Sequence, residues 1–392
     1  LKKALLFTGI VANTIAMVFF TFYLMKLPWL AGDEKFLIWS SSALKFANRE
    51  IPNSSEYAFI NTSYDLQLID RYDEFGFPVG NQVITDREKL ALFLEIINSG
   101  ETKPKYVICD VHFADSTDVD APLHAALQQM DNVILSSHLN DKGQLEAPVF
   151  KDINRGLSDY VIGSVFDGVY KYQLVYNDSL KLTPLKVFED VYGVKAEKKG
   201  PFVKIGDHWT INNFIMNYRL LQKDITEQEA GFNPVSLGEL LFLEDKDIQD
   251  FTAGKIVIIG DFFENDMHET LFEITAGPLI LLNAFLTIKE GDTLVNIWFF
   301  LLIIGVYLYL SYMVFVEGDY MEAKITKKFG SIAIAKYLAG FASYITILAV
   351  LSLMTFFLFN IHLNIFFLAL AFYAMDKIVG FIYSRLSKAK VG

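Results

Sequence analysis

A single cysteine, Cys109, stands in 392 residues, so no disulfide closes within the chain. Folded regions must therefore hold through apolar cores. Cys109 lies inside the β-branched run 106–111 and is expected as a small core residue, not a nucleophile. Missing too are G-x-S-x-G, H-E-x-x-H, a Walker sequence and the protein-kinase signature set. Gly260 has no second and third glycine after it to make a phosphate-binding fingerprint. No catalytic residue, cofactor or metal site is assigned, and an enzyme is not expected. Basic residues are scarce where the chain is most polar. Between residues 27 and 296 Asp and Glu outnumber Lys and Arg nearly two to one, and the whole chain carries −12. That balance argues against nucleic acid and against docking on anionic lipid. No internal repeat and no low-complexity linker interrupts the sequence.

What is abundant is apolar residue, 53% of the chain with 15% aromatic. The excess is concentrated. Residues 4–25, 295–316 and 337–359 carry no charge, and 361–383 carry only Asp376 and Lys377. Each run exceeds the roughly 20 residues that cross a bilayer core as a helix. Lys2 and Lys3 precede the first run. Lys324, Lys327 and Lys328 follow the second, and Arg385, Lys388 and Lys390 follow the fourth. Flanks rich in Lys and Arg stay cytoplasmic, so both termini are expected inside. An N-terminal anchor (1–26), an outer domain (27–294) and three C-terminal membrane helices (295–392) follow. The sequence Lys26-Leu-Pro28 offers no small-residue cleavage site, which favours an uncleaved anchor over a signal peptide.

The outer segment alternates strand and helix patterns. Residues 106–111 and 132–136 read as buried strands around a helix from Asp120 to Met130, with Asp120 as N-cap and Pro122 in the first turn. An amphipathic helix over 86–99 precedes them. Asp167-Gly168 between 160–165 and 170–175 is a hairpin signal. Thr183-Pro184 opens a helix ending near Gly193, 214–218 and 255–260 read as strands, and Gly277-Pro278 opens a last helix to Glu290. The predicted fold class is an α/β extracytoplasmic domain, a mixed sheet with flanking helices, on a four-helix transmembrane bundle.

Several fragments resemble, in order, the CHASE2 domains of bacterial transmembrane receptors. They are KYVICDVHF at 105–113, DAPLHAAL at 120–127 with NVIL at 132–135, FDGV at 166–169, NYR at 217–219 and GKIVIIG at 254–260. Asp266 and the Gly277–Asn283 helix start complete the series. Lys171 stands where that family usually has Arg, and Asp261-Phe-Phe263 replaces its small residues after the last strand. The resemblance spans about residues 30–290 and implies a sensory module in the bacterial inner membrane, with one span before it and three after. Such receptors usually continue into a kinase or cyclase. None follows span four here, so the resemblance implies relay to a separate membrane partner, with a non-signalling accessory subunit as the alternative. It implies no ligand-binding residues.

Those come from the residues themselves. Asp110, His112, Asp115, Asp118 and Asp120 cluster after one predicted strand, and Asp261, Glu264, Asp266, His268 and Glu269 after another. Ligands of open α/β sheets sit at that strand edge. If the two strands are neighbours, both clusters face one crevice. Asp110, His112, Asp261, Asp266 and His268 would then line a pocket for a small periplasmic ligand, with the histidines as pH-sensitive groups. The blander reading makes these two solvated loops, with Asp120 as a helix cap. The first cluster lacks the Gly and terminal Glu of an EF-hand. Asp376 falls about 18 Å along its span at 1.5 Å per residue. It is a candidate for contact with a partner in the membrane, unless Lys377 snorkels to the headgroups and draws it along.

Overall fold

The computed structural model describes residues 2–27, 35–72, 75–160, 168–228, 231–317 and 333–388. The hairpin turn expected at Asp167, and Lys324, Lys327, Lys328 and Lys390, lie outside them. The chain divides into two compact units, 1–45 with 199–215 and 292–392, and 46–198 with 216–291. The first unit thus includes segments, 35–45 and 199–215, that the sequence pattern assigns to the outer domain.

Four helices of the first unit are long and apolar enough to cross a membrane: Lys3–Met25, Ile297–Val316, Gly340–Phe359 and Ile365–Arg385. Within an apolar medium only packing and interhelical hydrogen bonds draw such helices together, and both are present. Asn13 Nδ2 donates to Ser311 Oγ at 2.9 Å, Thr14 Oγ1 to the same oxygen at 3.0 Å, and the Thr21 and Tyr307 hydroxyls meet at 2.7 Å. The helix Lys35–Phe46 belongs to this unit up to Lys45. Its Ser41 lies 2.9 Å from His362 Nε2, and Lys45 Nζ donates to Asn360 Oδ1 at 2.9 Å, both in the turn before Ile365.

The second unit is built on a six-stranded sheet. In chain order its first four strands are β1 (Tyr57–Asn61), β2 (Tyr106–Asp110), β3 (Val133–Ser137) and β4 (Arg155–Leu157), followed by Val235–Ser236 and Ile256–Gly260. Across the sheet the order is Val235–Ser236, β1, Ile256–Gly260, β2, β3, β4. Every pairing is parallel. The sheet is thus not mixed as expected, because each crossover returns the chain to the same edge. Antiparallel pairing joins small ribbons such as Leu66–Tyr72 with Pro78–Thr85, and in the first unit it links Phe202–Ile205, His208–Ile211 and Leu294–Val295.

Alternation along each strand feeds two cores. Val107, Cys109, Val133 and Leu135 pack with Phe93 and Leu94 of α1 (Arg87–Ser99) and Leu123 of α2 (Asp120–Gln128). Tyr106, Ile108 and Ile134 pack on the opposite face with Val187 of α3 (Thr183–Tyr192) and Leu279 and Phe285 of α4 (Gly277–Lys289). Asp86 caps α1 by accepting from Lys89 N at 3.1 Å, and Gly193 ends α3 at φ 63°, both legible in the sequence. Asp120 departs from expectation. Val119 occupies the N-cap of α2 without a side-chain cap bond. Asp120 accepts from Thr117 N at 2.8 Å and pairs with Arg87, which is 1% exposed. A buried guanidinium needs a counter-charge, and that requirement outweighs the cap.

Candidate functional site

Ile256–Gly260 and β2 are neighbours over their whole length, with Gly260 opposite Asp110. After β2 the chain enters α2 on one face of the sheet. After Gly260 it enters α4 on the other. Adjacent parallel strands whose connections leave to opposite faces open a crevice at their carboxyl ends, the place where such sheets hold ligands.

Asp110 follows Tyr106 and Ile108 on the α4 face. Its carboxylate accepts from Ser136 Oγ, Ser136 accepts from Ser158 Oγ at 2.7 Å, and Ser158 lies 2.9 Å from Thr183 Oγ1 at the start of α3. By surface area Asp110 is only part-buried, yet protein surrounds its carboxyl as densely as in the interior. Burial, reinforced by the nearby Asp266 carboxylate, pushes its pKa up to about 7, against the Ser136 hydrogen bond and the pull of His138 and His268.

Asp266 is set against the first turn of α4. Gly277 N donates to its carbonyl at 2.8 Å, and a Cβ on Gly277 would fall 2.1 Å from its Oδ2, so only glycine admits the carboxylate there. His268 Nε2 lies 2.7 Å from Asp266 Oδ1, and the Tyr160 ring packs edge-on to His268 at 4.9 Å. Burial and then the charges of Asp110 and Asp266 hold the Tyr160 phenol well above its usual range.

Asp110, Asp266 and His268 thus lie around the carboxyl ends of β2 and Ile256–Gly260 and the start of α4. His112 and Asp261 do not join them. His112 lies 2.8 Å from Glu146 and edge-on to His138 at 4.6 Å. Asp261 is occupied within its own loop, accepting from Ser63 Oγ at 2.5 Å and from the N–H groups of Phe263, Glu264 and Asn265. Burial acts to raise its pKa, but these bonds outweigh it and hold the carboxyl below the usual range. Asp115 supplies only its carbonyl, to Arg87 at 2.7 Å. Among the described residues no group of three or more His, Cys, Asp or Glu is placed to hold a metal ion.

No family model matches the chain, and no curated protein or solved structure does. The site is therefore read from its geometry alone. Sequence reasoning missed Ser136, His138, Ser158, Asp159 and Tyr160. His138 Nδ1 lies 2.9 Å from Asp159 Oδ1. Burial opposes its charge, but Asp159, Asp110 and Glu146 outweigh that and raise its pKa. The available signal was position, since Ser136 and His138 stand at the end of a predicted strand as Asp110 does. In the membrane unit, Asp376 is 8% exposed within Ile365–Lys388. Lys377 Nζ is 3.6 Å from it and 5.0 Å from the centre of the Tyr373 ring.

Proposed function

We propose that the chain is a receptor-like protein of the bacterial inner membrane. Its α/β domain, residues 27–294 of a CHASE2-like module, faces the periplasm, and both termini face the cytoplasm. It binds a small molecule or envelope component and relays occupancy through its membrane helices to a separate partner. The observation carrying this reading is the crevice at the carboxyl ends of β2 and Ile256–Gly260, where Asp110 lies opposite Gly260 and Asp266 is set against Gly277 at the start of α4. Two carboxyls brought together, one with its proton affinity raised and His268 beside the other, suit a ligand that donates hydrogen bonds or carries positive charge. The four apolar helices support the membrane setting.

The test is thermal unfolding of the full chain in detergent against amines, polyols and cell-wall fragments. One class should raise the midpoint in the wild type, and less in Asp110→Asn. A flat response across all classes would remove the receptor reading. Asp376, nearly buried in a membrane-spanning helix, favours a second reading, an accessory subunit that holds a membrane complex together. That reading requires a stoichiometric membrane partner on native purification, its retention weakened by Asp376→Asn.

A further inference from the structure

The opposite face of β3 carries a second feature. Leu135 pairs with Arg155 and Ser136 with Gly156, so alternation puts Leu135, Ser137 and Arg155 together on the α2 side, away from Ser136 and Asp110. There a cavity of about 30 Å³ is lined by His112, Ser137, His138, Glu146, Phe150 and Arg155, among others. Arg155 Nη1 is buried, and among the described residues it has no hydrogen-bond partner. Neither an ion pair nor a hydrogen bond holds its guanidinium elsewhere among them.

A guanidinium nitrogen taken out of water and left unpaired is costly, and proteins ordinarily supply it a carboxylate or a bound anion. The nearby acids are engaged. Glu146 Oε2 is 2.8 Å from His112 Nε2, and Asp159 is 2.9 Å from His138 Nδ1. The histidines add donors to the wall, and Asp159 keeps His138 inclined to carry its proton. The space exceeds the roughly 10–15 Å³ that one water needs and suits one small monovalent anion.

We infer that the cavity between β3, β4 and the 146–150 segment is a binding site for a small monovalent anion, a halide or a carboxylate group, held by Arg155 with His112 and His138 on its wall. This site lies on the other face of the sheet from the Asp110–Asp266 crevice and does not depend on a ligand binding there.

The test uses the full chain in detergent, in chloride-free sulfate buffer, with chloride and acetate as the probes. Chloride-35 NMR line width should show saturable broadening that acetate reverses. Preferential relief by acetate identifies a carboxylate site, and retention of chloride against acetate identifies a halide site. Arg155→Gln should weaken binding by about tenfold or more, the size of one charge-assisted hydrogen bond. Arg155→Lys, which keeps the charge but loses the planar fork, should fall between. Saturating anion should raise the wild-type unfolding midpoint by roughly 2–4 °C and leave Arg155→Gln unmoved. Absence of saturable binding by either probe overturns the inference. So does equal binding in wild type and Arg155→Gln. If Arg155→Gln does not fold, the wild-type titration and Arg155→Lys decide. Asp266→Asn removes a crevice carboxylate that is not among the groups raising His138, so it should bind the anion normally, which separates this site from the crevice.

Discussion

Asp266 stands where a side chain on Gly277 would have to be. A Cβ built on that glycine meets Oδ2 at 2.1 Å and Cγ at 2.6 Å. The absence of one methyl at the start of α4 thus lets a carboxylate approach Asp110, and the proton affinity of Asp110 depends on that approach. The relationship ties a backbone requirement to the electrostatics of the crevice.

Gly277→Ala should therefore push Asp266 off the helix end. Overpacking of this kind costs about 1–3 kcal/mol, so the unfolding midpoint should fall. With its like-charged neighbour displaced, the Asp110 carboxyl should titrate below about 7. Carbon-13 NMR of the labelled carboxyl reads this directly. An unchanged Asp110 titration would mean that burial alone sets its value.

Stability should depend on Asp110 ionisation in a definite direction. Its folded pKa of about 7 lies above the unfolded carboxylate value near 3.9. The folded state therefore holds this proton more tightly. The resulting stabilisation is full below about pH 4 and is lost as pH rises through about 7, on the order of 4 kcal/mol in total. Asp110→Asn should remove that slope and be the more stable protein at pH 8. Denaturant unfolding at pH 4.5, 6 and 8 checks the sign, and equal slopes in the two proteins would refute it.

Asp65 offers a contrasting carboxylate. It is 4% exposed and joins Lys89 at 2.7 Å, Ser236 Oγ at 3.0 Å and Gly238 N at 2.9 Å. Burial opposes its ionisation, but these donors win and hold its pKa below the usual range. Asp65→Ala takes the acceptor from the part-buried Gly238 N–H and the Ser236 hydroxyl and one partner from the half-exposed Lys89, and should cost about 1–3 kcal/mol. The loss should be largest at neutral pH and shrink as pH falls through the Asp65 titration. Urea unfolding of the two proteins at pH 7 and pH 3 measures it.

In the membrane unit Ser311 accepts from both Asn13 and Thr14. Ser311→Ala takes the acceptor from Asn13 Nδ2, while Thr14 still donates to the Ile10 carbonyl at 2.9 Å, and should weaken packing of the first and second apolar helices by about 0.6–2 kcal/mol. Unfolding in micelles by steric trapping provides the readout. Ser352, whose hydroxyl lies 3.0 Å from His362 Nδ1 in the later turn, serves as a control site.

Much of this molecule is determined locally. The apolar runs are long enough and uniform enough to specify four membrane-length helices without reference to anything else. The Asp86 cap, the Thr183-Pro184 start with Gly193 at its end, and the β-branched runs around Cys109 and Ile258 likewise act on near neighbours, so they could be read from periodicity and cap chemistry. Tyr57–Asn61 went unread. Its five residues are all buried, and a short apolar run without alternation does not distinguish a strand from a buried helix turn. The two-residue strand Val235–Ser236 exists only through its pairing with β1.

Long-range pairing decided the rest. That Gly260 lies opposite Asp110 is a matter of strand order, and no local preference encodes which of six parallel strands sits beside which. Once that register is set, pleat alternation turns Asp110 toward Asp266 and Arg155 toward a different cavity on the far face. His112 and Asp261 illustrate the converse. Their sequence neighbourhoods match those of Asp110 and Asp266, yet each has nearer partners, Glu146 for one and its own loop N–H groups for the other. The sequence alone thus determined the four membrane-length helices and the longer strands and helices around Cys109 and Ile258, because those depend on side-chain period and length. Only the tertiary structure decided which polar groups share a crevice, because that depends on contacts between residues far apart in the chain.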